Sequence, residues 1–126
     1  MHDDIDKMYC GAIRRGDIIE GEFEEGKSGL MVVLQDDVLN QSLPTVICAL
    51  IKPKREKEEA LINEITLKKK EIGSERDGVC MLHKIFTIKR EKIFAKKGEL
   101  GSDRFVKIIQ ALDVTLGRFR DEIIES

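Results

Sequence analysis

The stretch "TVICALI", residues 45 to 51, is the most strongly apolar strand-like segment of the chain. Apolar side chains occupy both alternating sets of positions, which is the pattern of a strand covered on both faces. Pro44 directly precedes the stretch. Because proline has no N–H to donate to the hydrogen bonds between central strands, the strand has to begin after that residue. The stretch therefore predicts the central strand of a closed or otherwise covered sheet.

Shorter apolar runs on both sides predict the remaining strands of that sheet, at residues 17–23, 30–35, 61–67 and 79–88. The first run alternates and is predicted to be half-buried, whereas the last is either one long strand bent near His83 or two shorter strands. The stretches "EEGKSG" and "GSERDG" predict turns, and "DDVLNQSLP" predicts a polar loop. Together the runs predict a sheet of about five to seven short strands.

From Ser102 onward the apolar residues change to helical spacing. They are Phe105, Ile108, Ile109, Leu112, Leu116, Phe119 and Ile123. Ser102 is predicted to be the N-cap of one helix of roughly 20 residues. Because the apolar stripe of this helix needs a surface to cover, we expect it to pack on the sheet. The predicted fold is mainly β with a C-terminal α-helix, of the α+β class.

The chain has 126 residues, which fits one domain. Residues 1–13 show no clear period and are predicted to be an N-terminal tail, followed by a single domain at residues 14–126. The net charge is −2, so no global field attracts nucleic acid or a membrane, and any polyanion site has to be local. The acidic N-terminus does not resemble a signal peptide, and no run reaches the roughly 20 apolar residues of a membrane span. We therefore expect a cytoplasmic protein with no membrane partner.

Motifs for metals and cofactors are missing from the sequence. The two histidines, His2 and His83, and the three scattered cysteines have no ligand spacing. No phosphate-binding loop and no hydrolase nucleophile motif is present. Cys48 and Cys80 lie inside apolar runs and are predicted to be buried free thiols. The sequence thus predicts neither a metal site nor a cofactor.

A basic cluster follows the central strand, at Lys52, Lys54, Arg55 and Lys57. Such a local cluster binds phosphates with little sequence preference. The glutamates among these residues dilute the charge, so a solvated loop explains the same pattern. The sequence alone leaves both interpretations open.

His83 lies within an apolar run and also has two interpretations. A lone histidine in such a run is commonly a core or edge residue with a satisfied hydrogen bond. It can also transfer a proton, because it titrates near neutral pH. The carboxylates of "EGEFEE" and "SERD", in contrast, are explained as solvated turn charges.

Three segments together resemble the MazF/PemK (Kid) toxins of type II toxin–antitoxin systems. "RGDIIEGEF", residues 15–23, is similar to the opening strand of that family. "VVLQDDVLNQSLPTVICALI", residues 32–51, resembles its strand–loop–strand segment. "GSERDGVCMLHKIFTIKREKI", residues 73–93, resembles the segment that begins with the family's ERDG or ERDS motif. The order, the spacing and the final helix agree over residues 14–124.

The resemblance implies a small SH3-like β-barrel of the MazF/PemK/CcdB type with a C-terminal helix. It also implies a homodimer, a cognate antitoxin peptide as partner, and an endoribonuclease that cuts single-stranded mRNA without a metal. In that reaction the 2′-hydroxyl attacks the adjacent phosphate and leaves a 2′,3′-cyclic phosphate and a 5′-hydroxyl. Such chemistry needs a base, a cation that stabilises the phosphorane, and an acid for the leaving oxygen.

The sequence departs from the family at residues that carry this chemistry. Aligned through Gln35, the position of the family's catalytic arginine falls on Gly29, and that of a threonine closing the third strand falls on Lys52. Lys27 and Lys52 lie near the replaced positions and are predicted to be substitute cations, although lysine lacks the planar fork of arginine. His83 aligns with a position that is acidic in relatives, which makes it a candidate for proton transfer.

The sequence therefore predicts a MazF/PemK-like toxin with weak or altered cleavage of single-stranded RNA. His83 and Lys52 are the predicted catalytic residues, and the predicted nucleic-acid-binding residues are Lys27, Lys54 and Arg55. The alternative is a non-catalytic binding module on the same barrel, which binds an antitoxin-like peptide or nucleic acid. Whether the chain is an enzyme stays open from the sequence, because the arginine and threonine are absent.

Overall fold

The computed structural model describes residues 8–118 and 120, and within them six β-strands form one antiparallel sheet. The strands are β1 Asp17–Glu24, β2 Lys27–Val33, β3 Thr45–Pro53, β4 Glu64–Leu67, β5 Gly78–Lys89 and β6 Ile93–Glu99. The α-helices are α1 Asp37–Ser42, α2 Lys69–Ile72 and α3 Ser102–Leu116. The predicted fold class, mainly β with a C-terminal helix, is confirmed.

β3 contains the "TVICALI" stretch and lies inside the sheet, as predicted. The strand order is β4-β5-β3-β2-β1-β6, so β3 pairs with β2 on one side and with β5 on the other. Val46 and Cys48 pack in one core cluster, and Ala49 and Ile51 pack in another. Both faces of the strand are therefore covered, which explains its continuous apolar character.

In the part of the chain that the structure describes, two hydrophobic clusters form the core. The first includes Phe105, Ile108 and Ala111 of α3, and the second is made mainly by residues of the sheet. β1 contributes Ile18 to the first cluster and Ile19 to the second, and both side chains are fully buried. The prediction of a half-buried β1 was therefore wrong, because the helix covers one face of this strand while the other face packs in the second cluster.

The sheet is not closed into a barrel, since within the described chain no ladder joins its edge strands β4 and β6. Instead α2 lies against β6. A Cβ at Gly98 would lie 2.3 Å from the carbonyl oxygen of Glu71, and a Cβ at Gly73 would lie 2.3 Å from that of Lys97. Gly73 also has a φ of 59°, a conformation that favours glycine. The seam of the expected barrel is thus occupied by a helical turn in close backbone contact with β6.

β5 is one long strand, as the first of the two alternatives allowed by the sequence predicts, and its pairing is interrupted around His83. Its register against β3 places Met81 opposite Leu50, but Ile85 opposite the neighbouring Ala49. The residues between Met81 and Ile85 therefore form a bulge. A bulge of this kind bends a strand and increases its local twist.

Two local predictions were wrong because side chains stabilise turns that the pattern did not reveal. The loop predicted for "DDVLNQSLP" contains α1, and its N-cap Asp36 accepts a hydrogen bond from the N–H of Val38 at 3.0 Å. The strand predicted at residues 61–67 is shortened to β4. Leu61 is 62% exposed, and its N–H donates to the carboxylate of Glu64 at 2.9 Å in a turn.

α3 is shorter than predicted. It begins at Ser102, but the N-cap is Gly101, and no side chain caps the first turn. It ends after 15 residues at Leu116, because Gly117 adopts a left-handed conformation with a φ of 72°.

The apolar stripe predicted for α3 is present in part. Phe105 and Ile108 are buried against the sheet, whereas Leu116 is 62% exposed. Phe119 and Ile123, which the sequence also placed on this stripe, lie outside the described residues.

The segment before β1 is bound to the sheet where the structure describes it. The N–H of Tyr9 donates to the carbonyl of Ile93 at 2.8 Å, and Ile13 is buried. The guanidinium of Arg90 donates to the carbonyls of Tyr9, at 2.8 Å, and Gly11. The boundary between tail and domain after residue 13 stays a prediction. No helix among the described residues has the length and apolar character needed to cross a membrane.

Candidate functional site

A groove of about 420 Å³ lies where β2 and β3 meet the turn between α2 and β5. Its apolar lining comes from Phe23, Leu30, Leu50, Ile51, Pro53 and Ile72. Its polar lining comes from Glu20, Ser28, Lys52, Ser74, Arg76 and Asp77. Gly29 lines the same groove. The two positions that align with the expected catalytic arginine and threonine, Gly29 and Lys52, are therefore in one groove.

Gly29 and Lys52 are brought together by the pairing of β2 with β3. Leu30 lies opposite Ile51 in the ladder, so Gly29 and Lys52 are the next residues along their strands. A Cβ at Gly29 would lie 3.4 Å from the ring of Phe23, which is an ordinary contact. The backbone would accept a side chain here, and the glycine leaves this wall of the groove without a functional group.

The ammonium group of Lys52 is held by a carboxylate. Its Nζ lies 2.5 Å from Oε2 of Glu58, and Oε1 of Glu58 accepts the backbone N–H of Arg55 at 2.9 Å. The hydrogen bond from Lys52 is the main cause that lowers the pKa of Glu58 from its ordinary value. The side chain of Lys52 is 37% exposed. A ligand in the groove therefore meets this lysine together with the opposite charge of Glu58.

A second depression adjoins the groove and contains the predicted nucleic-acid-binding residues Lys54 and Arg55. Its lining is mixed in charge and consists of Lys54, Arg55, Glu56, Lys69, Glu75, Arg76 and Asp77. Arg76 and Asp77 line both depressions. The structure thus brings Lys54 and Arg55 next to the groove that contains Lys52.

Lys27 lies outside the groove lining. It begins β2, one residue before Ser28, which does line the groove. Its ammonium group forms an exposed ion pair with Glu24 at 3.3 Å, across the β1–β2 turn. The structure therefore places this predicted cation at the tip of the hairpin, beside the groove.

His83 is exposed at the bulge of β5, and its Nδ1 lies 3.1 Å from Nδ2 of Asn63. It is not among the residues that line the groove. Lys52 pairs with Val79, whereas His83 lies four residues further along β5, in the bulge. The structure does not bring the two predicted catalytic residues together.

Two charged residues of the groove, Glu20 and Arg76, were not predicted from the sequence. Both lie in stretches whose charges were explained as solvated. Arg76 is exposed, and within residues 8–118 and 120 its side chain forms no ion pair or hydrogen bond. The signal in the sequence that could have revealed Arg76 was the pair of glycines, Gly73 and Gly78, at the two ends of the turn that carries it. A Cβ at Gly78 would lie 2.6 Å from Ile51, so the turn packs tightly on the groove.

The described residues contain no group of three histidine, cysteine, aspartate or glutamate side chains that could hold a metal ion. Cys48 and Cys80 are buried free thiols, as predicted, and burial raises the pKa of each to about 12. Since the thiolate is the reactive form, neither thiol is a nucleophile near neutral pH. The charged groups that line the groove are carboxylate, ammonium and guanidinium.

The sequence is similar to those of known toxins and endoribonucleases. The profile of the family described as "PemK-like, MazF-like toxin of type II toxin-antitoxin system" matches residues 14–116. Endoribonuclease MazF of Staphylococcus epidermidis is 30% identical over 112 residues, which cover 83% of this chain and 92% of the relative. Endoribonuclease EndoA of Bacillus subtilis (strain 168) is 29% identical over 110 residues, which cover 82% and 94%.

Solved structures share the fold. An endoribonuclease in complex with its cognate antitoxin, from a mycobacterial species, has a TM-score of 0.71 at 16% identity, covering 84% of this chain and 96% of that chain. The crystal structure of MazE-MazF (form II) from Deinococcus radiodurans has a TM-score of 0.68 at 16% identity, covering 85% and 97%. At this identity the structural matches establish the fold alone.

Proposed function

The chain belongs to the PemK-like, MazF-like toxin family of type II toxin–antitoxin systems, and from this premise we propose that it is a slow, metal-independent endoribonuclease for single-stranded RNA. The groove that contains Gly29 and Lys52 is the proposed active site. One observation carries the proposal. A carboxylate, an ammonium and a guanidinium, from Glu20, Lys52 and Arg76, line the same groove.

These three groups match what cleavage by a neighbouring 2′-hydroxyl requires. Glu20 is the proposed base, which takes the proton of the 2′-hydroxyl as its oxygen bonds to phosphorus. A cation stabilises the charge of the phosphorane. The ammonium of Lys52 gives a proton to the 5′ oxygen as the bond between that oxygen and phosphorus breaks. Asp77 also lines the groove, but its Oδ1 already accepts the N–H of Lys69 at 2.8 Å.

The geometry of the groove supports a low rate. Gly29 offers no cation at the position where the family resemblance implies an arginine, and loss of one oxyanion donor slows catalysis by about 10²–10³-fold. Lys52 donates to Glu58 at 2.5 Å, so a substrate has to compete with that carboxylate for the ammonium.

The remaining predicted residues have proposed roles outside the chemical step. Lys54 and Arg55 would bind backbone phosphates beyond the groove, and Lys27 would contribute at the hairpin tip. His83 stays a predicted participant in proton transfer, although its position at the bulge separates it from Lys52. Cleavage that is unchanged in His83→Ala would remove that role.

Two protein partners are proposed from the family. One solved structure with this fold is described as an endoribonuclease in complex with its cognate antitoxin. We expect an antitoxin peptide to bind this chain, and two copies of the chain to form a homodimer in the cytoplasm. Light scattering on the purified protein, alone and with the peptide, measures both associations.

The function is tested by incubating a long single-stranded RNA with the purified protein in EDTA. We expect slow cuts at a few sites, and no cuts when the same RNA is annealed into a duplex. Lys52→Met should slow the reaction, whereas Lys107→Met, which removes an exposed positive charge from α3, should not. Equal rates for the two variants would contradict the proposed site.

A second candidate function is a non-catalytic binding module. The observation that favours it is the pairing of Lys52 with Glu58 beside a glycine at position 29, which leaves a groove with weakened catalytic groups. This alternative predicts tight binding of single-stranded RNA or an antitoxin-like peptide. It also predicts intact RNA even when the folded protein is in excess.

A further inference from the structure

Of the described residues, two with cationic side chains line the groove, Lys52 and Arg76, and their surroundings differ. Lys52 is bound to Glu58 at 2.5 Å. Arg76 is exposed, and among the described residues its guanidinium has neither an ion-pair partner nor a hydrogen-bond partner. A guanidinium presents several N–H donors in a planar fork that binds two oxygens of one phosphate. Arg76 is therefore the group of the groove that is best suited to bind a phosphate.

The turn that carries Arg76 is anchored on both sides. The N–H of Lys54 donates to the carbonyl of Asp77 at 2.8 Å, and the side chain of Asp77 accepts the N–H of Lys69 at 2.8 Å. Gly78 packs so closely on β3 that a Cβ would lie 2.6 Å from Ile51. Because the next two residues are fixed in this way, the backbone of Arg76 has a defined position on the wall of the groove.

We propose that Arg76 binds the scissile phosphate and supplies the guanidinium that Gly29 cannot supply, an assignment that rests on the proposed RNA-cleaving function. Arg76 also lines the depression that contains Lys54 and Arg55. The RNA backbone therefore runs from the groove, past Arg76, toward these two residues. Glu20 faces the same groove and is left to act as the base.

The test compares Arg76→Met and Arg76→Lys with Lys107→Met, the matched loss of one exposed positive charge. Cleavage of single-stranded RNA is measured in EDTA, and binding of an uncleavable 2′-deoxy oligonucleotide is measured over a range of salt concentrations. We expect Arg76→Met to slow cleavage by about 10²-fold or more. Arg76→Lys should recover only part of the rate, since lysine cannot bind a phosphate through two parallel donors.

The salt dependence separates a phosphate contact from a general loss of charge. The slope of log K against log salt should become shallower by about 0.7 in Arg76→Met, as expected for one lost contact to a single strand. Lys107→Met should leave both the rate and the slope as in the wild-type protein.

The outcomes distinguish this assignment from the proposed function. A rate and slope in Arg76→Met equal to those of Lys107→Met would overturn the assignment and leave the nuclease proposal in place. If the wild-type protein does not cut RNA, but binds the oligonucleotide with a slope that depends on Arg76, the nuclease proposal fails and the phosphate-binding role stands. A wild-type protein that neither cuts nor binds would overturn both.

Discussion

Nζ of Lys52 lies 2.5 Å from Oε2 of Glu58, so the lysine of the candidate active site is bound to the loop that follows its own strand. Lys57, directly before Glu58, has a φ of 63°, a conformation that is uncommon for a residue with a Cβ. Such a conformation persists where surrounding contacts stabilise it, and the pair of Lys52 with Glu58 is one of these contacts.

Replacing Glu58 with glutamine removes the charge that opposes Lys52. We expect tighter binding of a single-stranded oligonucleotide and a salt slope that is steeper by about 0.7, because one more cation is available to a phosphate. Fluorescence anisotropy over a range of salt concentrations measures both. Glu59→Gln, one residue further along the exposed loop, is the matched control. Equal slopes for the two variants would show that Glu58 does not compete with RNA for Lys52.

The double substitution Gly29→Arg and Lys52→Thr restores the pair of residues that the family resemblance implies. Position 29 has room, since a Cβ there makes only ordinary contacts, the nearest at 3.4 Å to Phe23. We expect RNA cleavage to rise by about 10²-fold, as for the gain of one oxyanion donor. Gly29→Arg alone should gain less, because its guanidinium would lie next to the ammonium of Lys52. The double variant also loses the ammonium that is the proposed proton donor, so the decisive result is a lack of gain in both Gly29→Arg and the double variant. With the fold retained, that result would mean that the groove is not the site of cleavage.

Arg104 connects α3 to the sheet, since its guanidinium donates to Glu71 at 2.7 Å and to the carbonyl of Thr66 at 2.7 Å. Replacing it with methionine should lower the free energy of unfolding by about 1–2 kcal/mol, a value reduced for partial exposure of the pair. Urea unfolding at neutral pH measures the change, with Lys107→Met as the control.

The same ion pair predicts a pH dependence of stability. Burial raises the pKa of Glu71, but the hydrogen bonds from Arg104 and from the N–H of Lys68 outweigh it, and the net pKa is lowered from 4.5. Because the folded pKa lies below the unfolded one, the stabilisation is complete above 4.5 and is lost as the pH falls through the lowered value. The difference in stability between wild type and Arg104→Met should therefore shrink in acid. Urea unfolding at neutral and at acidic pH measures this difference. A difference in the free energy of unfolding that is the same at both pH values would contradict this cause.

Gly98 sits at the seam between α2 and β6, where a Cβ would lie 2.3 Å from the carbonyl oxygen of Glu71. Gly98→Ala should lower the free energy of unfolding by about 1–3 kcal/mol, because the backbone of one element has to move. Gly29→Ala, whose Cβ makes only ordinary contacts, should change it by less than about 0.5 kcal/mol. Similar urea midpoints for the two variants would show that α2 and β6 can move apart at the seam without a loss of stability.

The central strand and the C-terminal helix could be predicted because their apolar residues follow regular patterns, on both faces of the strand and at helical spacing in the helix. Val46, Cys48, Ala49 and Ile51 are apolar on both faces of β3, and both faces are buried. The limits of these elements were harder to predict. The end of α3 depends on the left-handed conformation of Gly117, which competes with the helical spacing that continues beyond it.

The candidate site could be predicted only where the residues lie on paired strands. Gly29 and Lys52 meet because β2 and β3 pair. The sequence predicted a strand beside each residue, at 30–35 and 45–51, but it was wrong to place Gly29 in a turn, since β2 already begins at Lys27. Arg76 lines the groove because the turn that carries it packs on β3. The pattern of charges along the sequence does not show how a turn packs, so this position could not be predicted. The separation of His83 from Lys52 follows from the length and bulge of β5, so alignment to a family position could not reveal it.

The measurement that tests the central claim most directly is a map of the product ends after the wild-type protein has acted on single-stranded RNA in EDTA. The proposed chemistry predicts cuts at a small set of sites, each leaving a 2′,3′-cyclic phosphate and a 5′-hydroxyl. It also predicts that Arg76→Met loses these cuts while Lys107→Met retains them. Intact RNA in the presence of excess folded protein, or cuts that leave a 3′-hydroxyl and a 5′-phosphate, would contradict it.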